Sequence, residues 1–200
     1  MATGTFIVLE GPDGSGTTSH CKLLAERLTK EGKDVFLTAE PTTGPIGTFI
    51  RQQLSKEGNS VTSAALQLLF TADRAWHVEQ VIQPALAEGK TVICERFSMS
   101  TVVYGEALGL DAAWLAAAND TFPKPDLLLV TLPDFETALR RINERATKDI
   151  MEEKIDLQRR LNDLYRSHAT ESGAIIIDTS GNMQEVAETI YQTFIGSRTL

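Results

Sequence analysis

The sequence is poor in cysteine and histidine. Its 200 residues include two cysteines, Cys21 and Cys94, and three histidines, His20, His77 and His168. One cysteine falls in a helical pattern and the other in an apolar strand pattern, which is typical of buried thiols in a reducing compartment and argues against a disulfide framework. The histidines show no spacing typical of a metal site.

Positive charge is also scarce. The 19 lysines and arginines are outnumbered by 27 aspartates and glutamates, which gives a formal net charge of -8. A surface with this balance repels nucleic acid and anionic membranes, so we expect neither as a partner. Any phosphate site must therefore gather its cations locally, and arginine is the residue suited to forked phosphate contacts.

Long apolar runs are missing. No 18 apolar residues occur together, and residues 1–9 have neither the charged segment nor the long apolar stretch of a signal peptide. We therefore expect a cytoplasmic protein. The hydrophobic content of 42% is enough for one sizeable core. No linker, repeat or low-complexity tract divides the chain, so we predict one domain over residues 1–200.

Short apolar runs rich in valine and isoleucine recur along the chain, each followed by a turn and a helical stretch. They lie at residues 6–9, 35–38, 91–94, 127–132 and 175–177. This alternation predicts an α/β fold with a five-stranded parallel sheet flanked by helices, and ligand sites at the carboxyl ends of the strands. Residues 41–89 form a long insertion with two helical patterns, predicted to hold a substrate. Residues 140–154 are highly charged, which favours a mobile segment over core.

A glycine-rich segment, Gly-Pro-Asp-Gly-Ser-Gly-Thr-Thr, follows the first strand and opens a helix. Its backbone N–H groups and the helix N-terminus are suited to bind phosphate. The pattern G-x-x-x-x-G-K-[ST] is met except at the lysine position, which is Thr17. The alternative is a glycine-rich turn without a ligand. The residues predicted to bind donor phosphates are Gly11, Gly14, Ser15, Gly16, Thr17 and Thr18, with the Thr18 hydroxyl on Mg²⁺.

Two residue pairs add to this interpretation. Glu95 and Arg96 end the third strand, where a carboxylate can hold the waters of Mg²⁺ and an arginine can clamp phosphate. The alternative is an ordinary surface salt bridge. Phe70 and Arg74 are four positions apart on a predicted helix, and a ring beside a forked cation suits a nucleobase. The alternative there is a core phenylalanine beside a solvated arginine.

Over nearly its whole length the chain resembles the thymidylate kinases (dTMP kinases), with five motifs and a lid segment in that family's order. The matching residues are Phe6 to Gly16 at the loop, Glu40-Pro41, Leu69 to Arg74, Glu95-Arg96-Phe97, Ser100 to Tyr104, and the lid residues Arg141, Arg145, Asp149 and Glu152. The resemblance implies a P-loop nucleoside monophosphate kinase fold, usually a homodimer, that transfers the γ-phosphate of Mg-ATP to dTMP.

The resemblance also implies roles for individual residues. Asp13 would face the acceptor's sugar and the transferred phosphate, and Arg96 would clamp phosphate. Tyr104 would crowd the 2′ position of the sugar. The catalytic cations would come from a lid at about residues 140–154, through Arg141 and Arg145. The remaining assignments are Arg51 on the acceptor phosphate, Phe70 and Arg74 on thymine, Glu40, Pro41, Ser100 and Thr101 in the acceptor site, and Thr18 with Glu95 on Mg²⁺.

Three positions depart from the family pattern. Thr17 replaces the loop lysine, Ala39 replaces the arginine before Glu-Pro, and Glu95 replaces an aspartate. Lys148 in the lid is a candidate for the missing charge. The departures leave two alternatives to the dTMP kinase: a catalytically silent nucleotide-binding regulator, and a kinase for another small phosphate acceptor.

Overall fold

The computed structural model describes residues 4–55, 61–145 and 152–197. Several predicted lid residues lie outside this part. Lys148 and Asp149 are not described, and neither are the side chains of Arg145 and Glu152. The roles predicted for these four side chains stay predictions.

The described chain folds around one parallel sheet. Its strands are β1 (Thr5–Glu10), β2 (Val35–Ala39), β3 (Thr91–Glu95), β4 (Leu127–Thr131) and β5 (Ile175–Ile177). Their order is β2-β3-β1-β4-β5, so β1 is central and lies directly between β3 and β4. The predicted α/β fold with a five-stranded parallel sheet is confirmed. The carboxyl ends of β1 and β3 meet, as the argument for Glu95 and Arg96 required.

Helices cover both faces of the sheet. They are α1 (Thr17–Lys30), α2 (Pro45–Leu54), α3 (Ser63–His77), α4 (Gln83–Ala87), α5 (Ser98–Ala107), α6 (Ala112–Asn119), α7 (Phe135–Arg145), α8 (Glu152–Ser172) and α9 (Met183–Ser197). A π-helical turn, Val78–Ile82, joins α3 to α4. The insertion at 41–89 therefore contains α2 and a second, longer helical stretch from α3 to α4. The two predicted helical patterns correspond to these two stretches, but the π-helical turn was not predicted.

Alternate residues of β1 pack into two separate cores. Ile7 and Leu9 join a cluster with α1 and α9, whereas Phe6 and Val8 face the segment from Val78 to Ala85. Because both faces are buried, the strand is apolar along its length instead of alternating with polar residues. A third cluster lies between α5 and α8 and includes the buried Tyr165.

The described part of the charged segment over residues 140–154 is helical, and none of residues 140–144 is buried, so the expectation that this segment is not core is met there. Residues 140–145 continue α7, and α8 begins at Glu152. An amphipathic helix explains the charge, since Ala138 is buried while Arg140 and Glu144 pair on the exposed side at 3.9 Å. None of the described helices is both long and apolar enough to cross a membrane.

Candidate active site

The glycine-rich loop connects β1 to α1 and needs glycine at two positions. Gly14 and Gly16 have φ of 79° and 83°, values that side chains with a Cβ rarely adopt. A Cβ on Gly14 would also lie 2.6 Å from the carbonyl oxygen of Ala138. Gly16 immediately precedes α1, so the loop leads into the positive end of that helix. This geometry suits a bound phosphate.

Thr17 points into the protein behind this loop. Its hydroxyl lies 2.7 Å from Ser15 Oγ and 2.9 Å from Thr131 Oγ1, and the residue is 4% exposed. Thr179 adds a second tie, because its hydroxyl donates to the Ser15 carbonyl at 2.8 Å. The Thr17 side chain therefore braces the loop. Because its side chain faces the protein interior, Thr17 can contact a donor phosphate in this conformation only through its backbone N–H.

Thr18 and Glu95 lie side by side at the front of the loop. Thr18 is in the first turn of α1 and Glu95 ends β3, and the Thr18 hydroxyl donates to Glu95 Oε1 at 2.5 Å. The structure thus brings together the two residues predicted to hold a metal. Both offer oxygen ligands, which is the donor set that Mg²⁺ prefers.

Asp13 and Arg96 form an ion pair next to the loop. Arg96 Nη2 donates to Asp13 Oδ1 at 2.7 Å, and Arg96 Nη1 donates to the Tyr104 hydroxyl at 3.2 Å. Burial acts to lower the pKa of Arg96, but electrostatic interactions with Tyr104, Tyr165, Asp13 and Glu10 outweigh it and raise the pKa well above its usual value. Burial likewise raises the pKa of Tyr104 to about 12. Arg96 is thus a fixed cation and Tyr104 a neutral phenol.

Glu10 is a buried carboxylate at the site, and the sequence alone gave it no role. It is 0% exposed, and its Oε1 accepts from the backbone N–H groups of Phe97 at 2.8 Å and Ser100 at 3.2 Å. Burial raises the pKa of Glu10, although hydrogen bonds from Ser100 and the charge of Arg96 oppose this. The sequence feature that could have identified Glu10 is a carboxylate at the end of an otherwise mostly apolar strand.

A cavity of about 330 Å³ opens beside the ion pair. Its walls come from the β1 loop, the Glu40–Pro41 turn, α3 and α5. The cavity contains the predicted acceptor-site residues Asp13, Glu40, Pro41, Phe70, Arg74, Arg96, Ser100, Thr101 and Tyr104, together with Gln67, Leu66, Phe97, Leu54 and Leu108. The structure therefore assembles predicted residues as distant in the sequence as Asp13 and Tyr104, which are 91 positions apart.

Arg74 is buried at the far wall of this cavity. It is 1% exposed and donates to Glu40 Oε2 at 2.7 Å, to Thr101 Oγ1 at 3.1 Å and to Asn119 Oδ1. The alternative of a solvated arginine is therefore excluded. Its Nε has no hydrogen-bond partner within the described residues. Asn119 carried no sequence signal, because it ends a short helix that is otherwise made of alanines, one leucine and one tryptophan.

Behind Arg74, the acidic Glu40 also meets a histidine and a cysteine. His77 Nδ1 lies 3.0 Å from Glu40 Oε1, and His77 Nε2 lies 2.7 Å from Thr38 Oγ1. Donor atoms of Glu40, His77 and Cys94 all lie within 4.8 Å of one another. Because Arg74 already neutralises Glu40, we interpret the cluster as a hydrogen-bonded support for Arg74.

Two predicted cations lie outside the cavity wall. Arg51 donates from Nε to the Thr42 carbonyl at 3.3 Å and from Nη2 to the Pro41 carbonyl, and it lines a neighbouring groove with Thr18 and Glu95. Arg141 donates to the carbonyl of Gly14 at 3.3 Å and to that of Thr179 at 2.8 Å. In this conformation Arg141 connects the glycine-rich loop to the segment after β5.

The fold and this site together define a P-loop nucleoside monophosphate kinase. A sequence model of the thymidylate kinase family matches residues 9–190. The chain is 46% identical to a probable thymidylate kinase of Pyrococcus horikoshii over 81% of each chain, and 41% identical to one of Pyrococcus abyssi over 94% of each. It is 38% identical to a thymidylate kinase of Desulfotalea psychrophila, covering 82% of this chain and 81% of the relative. The chain belongs to the thymidylate kinase family.

Proposed function

We propose that this chain transfers the γ-phosphate of Mg-bound ATP to dTMP, giving dTDP and ADP. The observation that carries the proposal is the construction of the cavity. At one end the ion pair of Asp13 and Arg96 adjoins the phosphate loop, and at the other Phe70 and Arg74 offer a ring and buried donors. A molecule that spans both ends has a phosphate and a base.

The donor site is built from the loop. Backbone N–H groups around Gly14 and Gly16 and the N-terminus of α1 bind the phosphates of ATP. Thr18 and Glu95 would hold Mg²⁺, which neutralises phosphate charge when bound. The family pattern adds Arg141 and Arg145 as further cations for the transferred group, and both assignments are part of the proposal.

The acceptor site favours a pyrimidine with a carbonyl at position 4. Phe70 supplies a stacking surface for the base. The terminal nitrogens of Arg74 already donate to Glu40, Thr101 and Asn119, and its Nε is the donor left without a partner among the described residues. This N–H can only donate, so it matches a carbonyl oxygen and leaves an amino group unsatisfied. An unmatched polar group in a buried site costs more than one lost hydrogen bond, so this chemistry discriminates against cytosine. Tyr104 narrows the space for the sugar and favours deoxyribose.

Phosphoryl transfer depends mainly on positioning and on electrostatic stabilisation. Arg96 supplies a permanent positive charge for the acceptor phosphate and for the charge that develops during transfer. Asp13 fixes one side of that guanidinium, and its other oxygen is directed to the acceptor's sugar and phosphate in our proposal. Arg51 approaches the acceptor phosphate from the neighbouring groove.

A second candidate is a nucleotide-binding regulator without catalytic activity. The inward position of the Thr17 hydroxyl favours it, because the loop then offers no side-chain cation from this position. A kinase for another small phosphate acceptor is the third alternative.

A coupled ADP-release assay decides between these functions. Purified protein with Mg-ATP is supplied in turn with dTMP, dUMP, dCMP, dGMP and GMP. We expect turnover with the highest kcat/KM for dTMP. Equal kcat/KM for dTMP and GMP would remove the thymidylate assignment. Binding of dTMP by calorimetry without any turnover would establish the regulator instead.

We further infer a cytoplasmic homodimer. Phe49, Leu68 and Trp114 are exposed by 43%, 47% and 41% and lie on α2, α3 and α6, where α3 contacts both other helices. Light scattering after gel filtration should give a dimer mass for the wild type and a monomer for Trp114→Glu. Met183→Glu, at a similarly exposed position of α9, is the matched control. A monomeric wild type would contradict the inference.

A further inference from the structure

Arg96 has a backbone conformation that needs external support. Its φ of 64° lies in the left-handed region, which residues with a Cβ rarely occupy. Such strain persists only where surrounding contacts hold it. The residue lies between β3 and α5, so the contacts that fix the start of α5 also fix Arg96.

Glu10 supplies the first of these contacts. Its Oε1 accepts from the backbone N–H groups of Phe97 and Ser100, which are otherwise unpaired donors at the start of α5. Its Oε2 accepts from the Ser100 hydroxyl at 2.5 Å, a distance typical of a hydroxyl bound to a carboxylate. The single hydroxyl proton of Ser100 is therefore engaged in the hydrogen bond to the Glu10 carboxylate.

Tyr165 extends this chain from another helix. It lies on α8, is 0% exposed, and places its hydroxyl 2.8 Å from Ser100 Oγ. Since the Ser100 proton is already used, Tyr165 must be the donor in this contact. The order of donation is thus Tyr165 to Ser100 to Glu10, over residues that are 65 and 90 positions apart.

This order of donation has a consequence for Arg96. With their protons committed, the oxygens of Tyr165 and Ser100 present only lone pairs to Arg96 Nη1, at 3.5 Å each. The Tyr104 hydroxyl lies 3.2 Å from the same nitrogen, and Asp13 holds Nη2 from the other side. Both terminal nitrogens of the guanidinium therefore have oxygen acceptors around them that fix its plane.

We propose that Tyr165 and Glu10, linked through Ser100, are positioning residues that orient the Arg96 guanidinium towards the acceptor phosphate. The proposal rests on the proposed function, in which Arg96 binds that phosphate. Tyr165 is fully buried and is absent from the cavity wall of the described structure, so it acts through Arg96 without touching substrate. The sequence offered no sign of this role, because Tyr165 continues the apolar pattern of Leu157, Leu161 and Leu164.

Binding measurements on two ligands test the proposal without requiring turnover. Calorimetry compares dTMP with thymidine, which lacks the phosphate. Tyr165→Phe should weaken dTMP binding by about 3- to 10-fold, the loss of roughly one hydrogen bond, and thymidine binding by less than about twofold. Equal weakening of both ligands would reduce Tyr165 to a structural role.

A double-mutant cycle identifies Arg96 as the route of the effect. In the Arg96→Ala background, Tyr165→Phe should change dTMP affinity by less than about twofold. The same loss in both backgrounds would overturn the proposal. Tyr191→Phe is the matched control, since this tyrosine contacts Arg27 on the far surface at α1 and α9. We expect wild-type affinities for both ligands in that variant.

Two further outcomes are informative. Should Tyr165→Phe fail to fold, Ser100→Ala breaks the same chain with a smaller change. Because Ser100 also lines the cavity, its effect on dTMP binding is measured in the wild-type and Arg96→Ala backgrounds, and an equal loss in both contradicts the proposal. If the cycle shows the expected coupling but dTMP is never phosphorylated, the proposed function fails while the positioning role stands.

Discussion

The hydroxyl of Thr17 lies 2.9 Å from the hydroxyl of Thr131. Thr17 occupies the sequence position where phosphate loops carry lysine. The residue that replaces the lysine has thus become part of the loop's support. A loop lysine contributes about 1.5 to 3 kcal/mol through a charge-assisted hydrogen bond, and other cations of the site can offset a loss of that size.

We predict that Thr17→Lys changes kcat by less than about tenfold, because the new charge comes with the loss of the hydroxyl contacts to Ser15 and Thr131. Steady-state ADP release measures this. Thr17→Val is the control for the hydroxyl and should lower the free energy of unfolding by about 1 to 3 kcal/mol. An inactive wild type that gains several orders of magnitude from Thr17→Lys would identify the natural chain as a binder.

Removing the charge of Asp13 should slow the reaction. Asp13→Asn keeps the size of the side chain but weakens its charge-assisted contact with Arg96, so we expect kcat to fall by roughly 10- to 150-fold. Stopped assays at saturating dTMP and ATP measure the change. Asp120→Asn, which alters an exposed pair with Lys124, is the control and should retain wild-type kcat. Similar kcat values for both variants would exclude Asp13 from catalysis.

Phe70 should contribute to acceptor binding and little to the fold. Phe70→Ala is expected to weaken dTMP binding by roughly 1 to 3 kcal/mol, the range for a base stacked on an aromatic ring. Calorimetry with dTMP provides the value. The matched variant is Phe135→Ala, which removes a ring on α7 that contacts Arg159 and does not line the cavity. Unchanged dTMP affinity together with a lower melting temperature would assign Phe70 to the core.

Arg141 should matter for transfer more than for acceptor binding. It holds the carbonyls of Gly14 and Thr179, and the family pattern places it among the cations that meet the transferred phosphate. We predict that Arg141→Ala lowers kcat by at least about 100-fold with a much smaller change in dTMP affinity. The neighbouring Arg140→Ala removes a 64% exposed side chain and serves as the control. Small effects at Arg141 would direct attention to Arg96 and Arg145.

His20 should make stability depend on pH. Burial, followed by the charge of Arg141, lowers the pKa of His20 below its usual value, and its Nδ1 has no partner among the described residues. Below about pH 6.5 the unfolded chain therefore binds a proton that the folded chain does not, and the free energy of unfolding falls as pH falls.

Urea denaturation between about pH 7.5 and 5.5 measures this dependence. His20→Gln should flatten the decline. His168→Gln, which removes an imidazole from the hydrogen bond with Glu106 on the surface of α8, controls for the loss of a histidine. A decline as steep in His20→Gln as in the wild type would show that other groups cause it.

Much of the fold could be predicted because its signals are local. Each strand is a short apolar run and each helix follows a turn, so the bounds of the strands were predicted to within one residue at either end. The pairing of Thr18 with Glu95 followed from the parallel sheet, since the ends of neighbouring strands meet.

The supporting contacts could not be predicted, because they depend on residues far apart that look ordinary in the sequence. Asn119 resembles a helix end and Tyr165 resembles core, and neither pattern reveals that one contacts Arg74 and the other Arg96. Burial of Arg74 was equally invisible, since a helical arginine is usually solvated. Such contacts arise from the packing of α5, α6 and α8 against one another and leave no periodic pattern of hydrophobic residues in the local sequence.

Because β1 is the central strand, the donor half of the site and the acceptor half differ in how firmly they are attached to the sheet. β1 is hydrogen-bonded on both sides, so the phosphate loop is anchored to the centre of the sheet, where local opening is least expected. The helices α2 and α3 lie outside the sheet, and α3 is fixed to the rest of the molecule by side-chain contacts such as those of Arg74. The donor half of the site is therefore preorganised. Substitutions in the acceptor half can change which substrate is accepted and leave the phosphate-binding half intact.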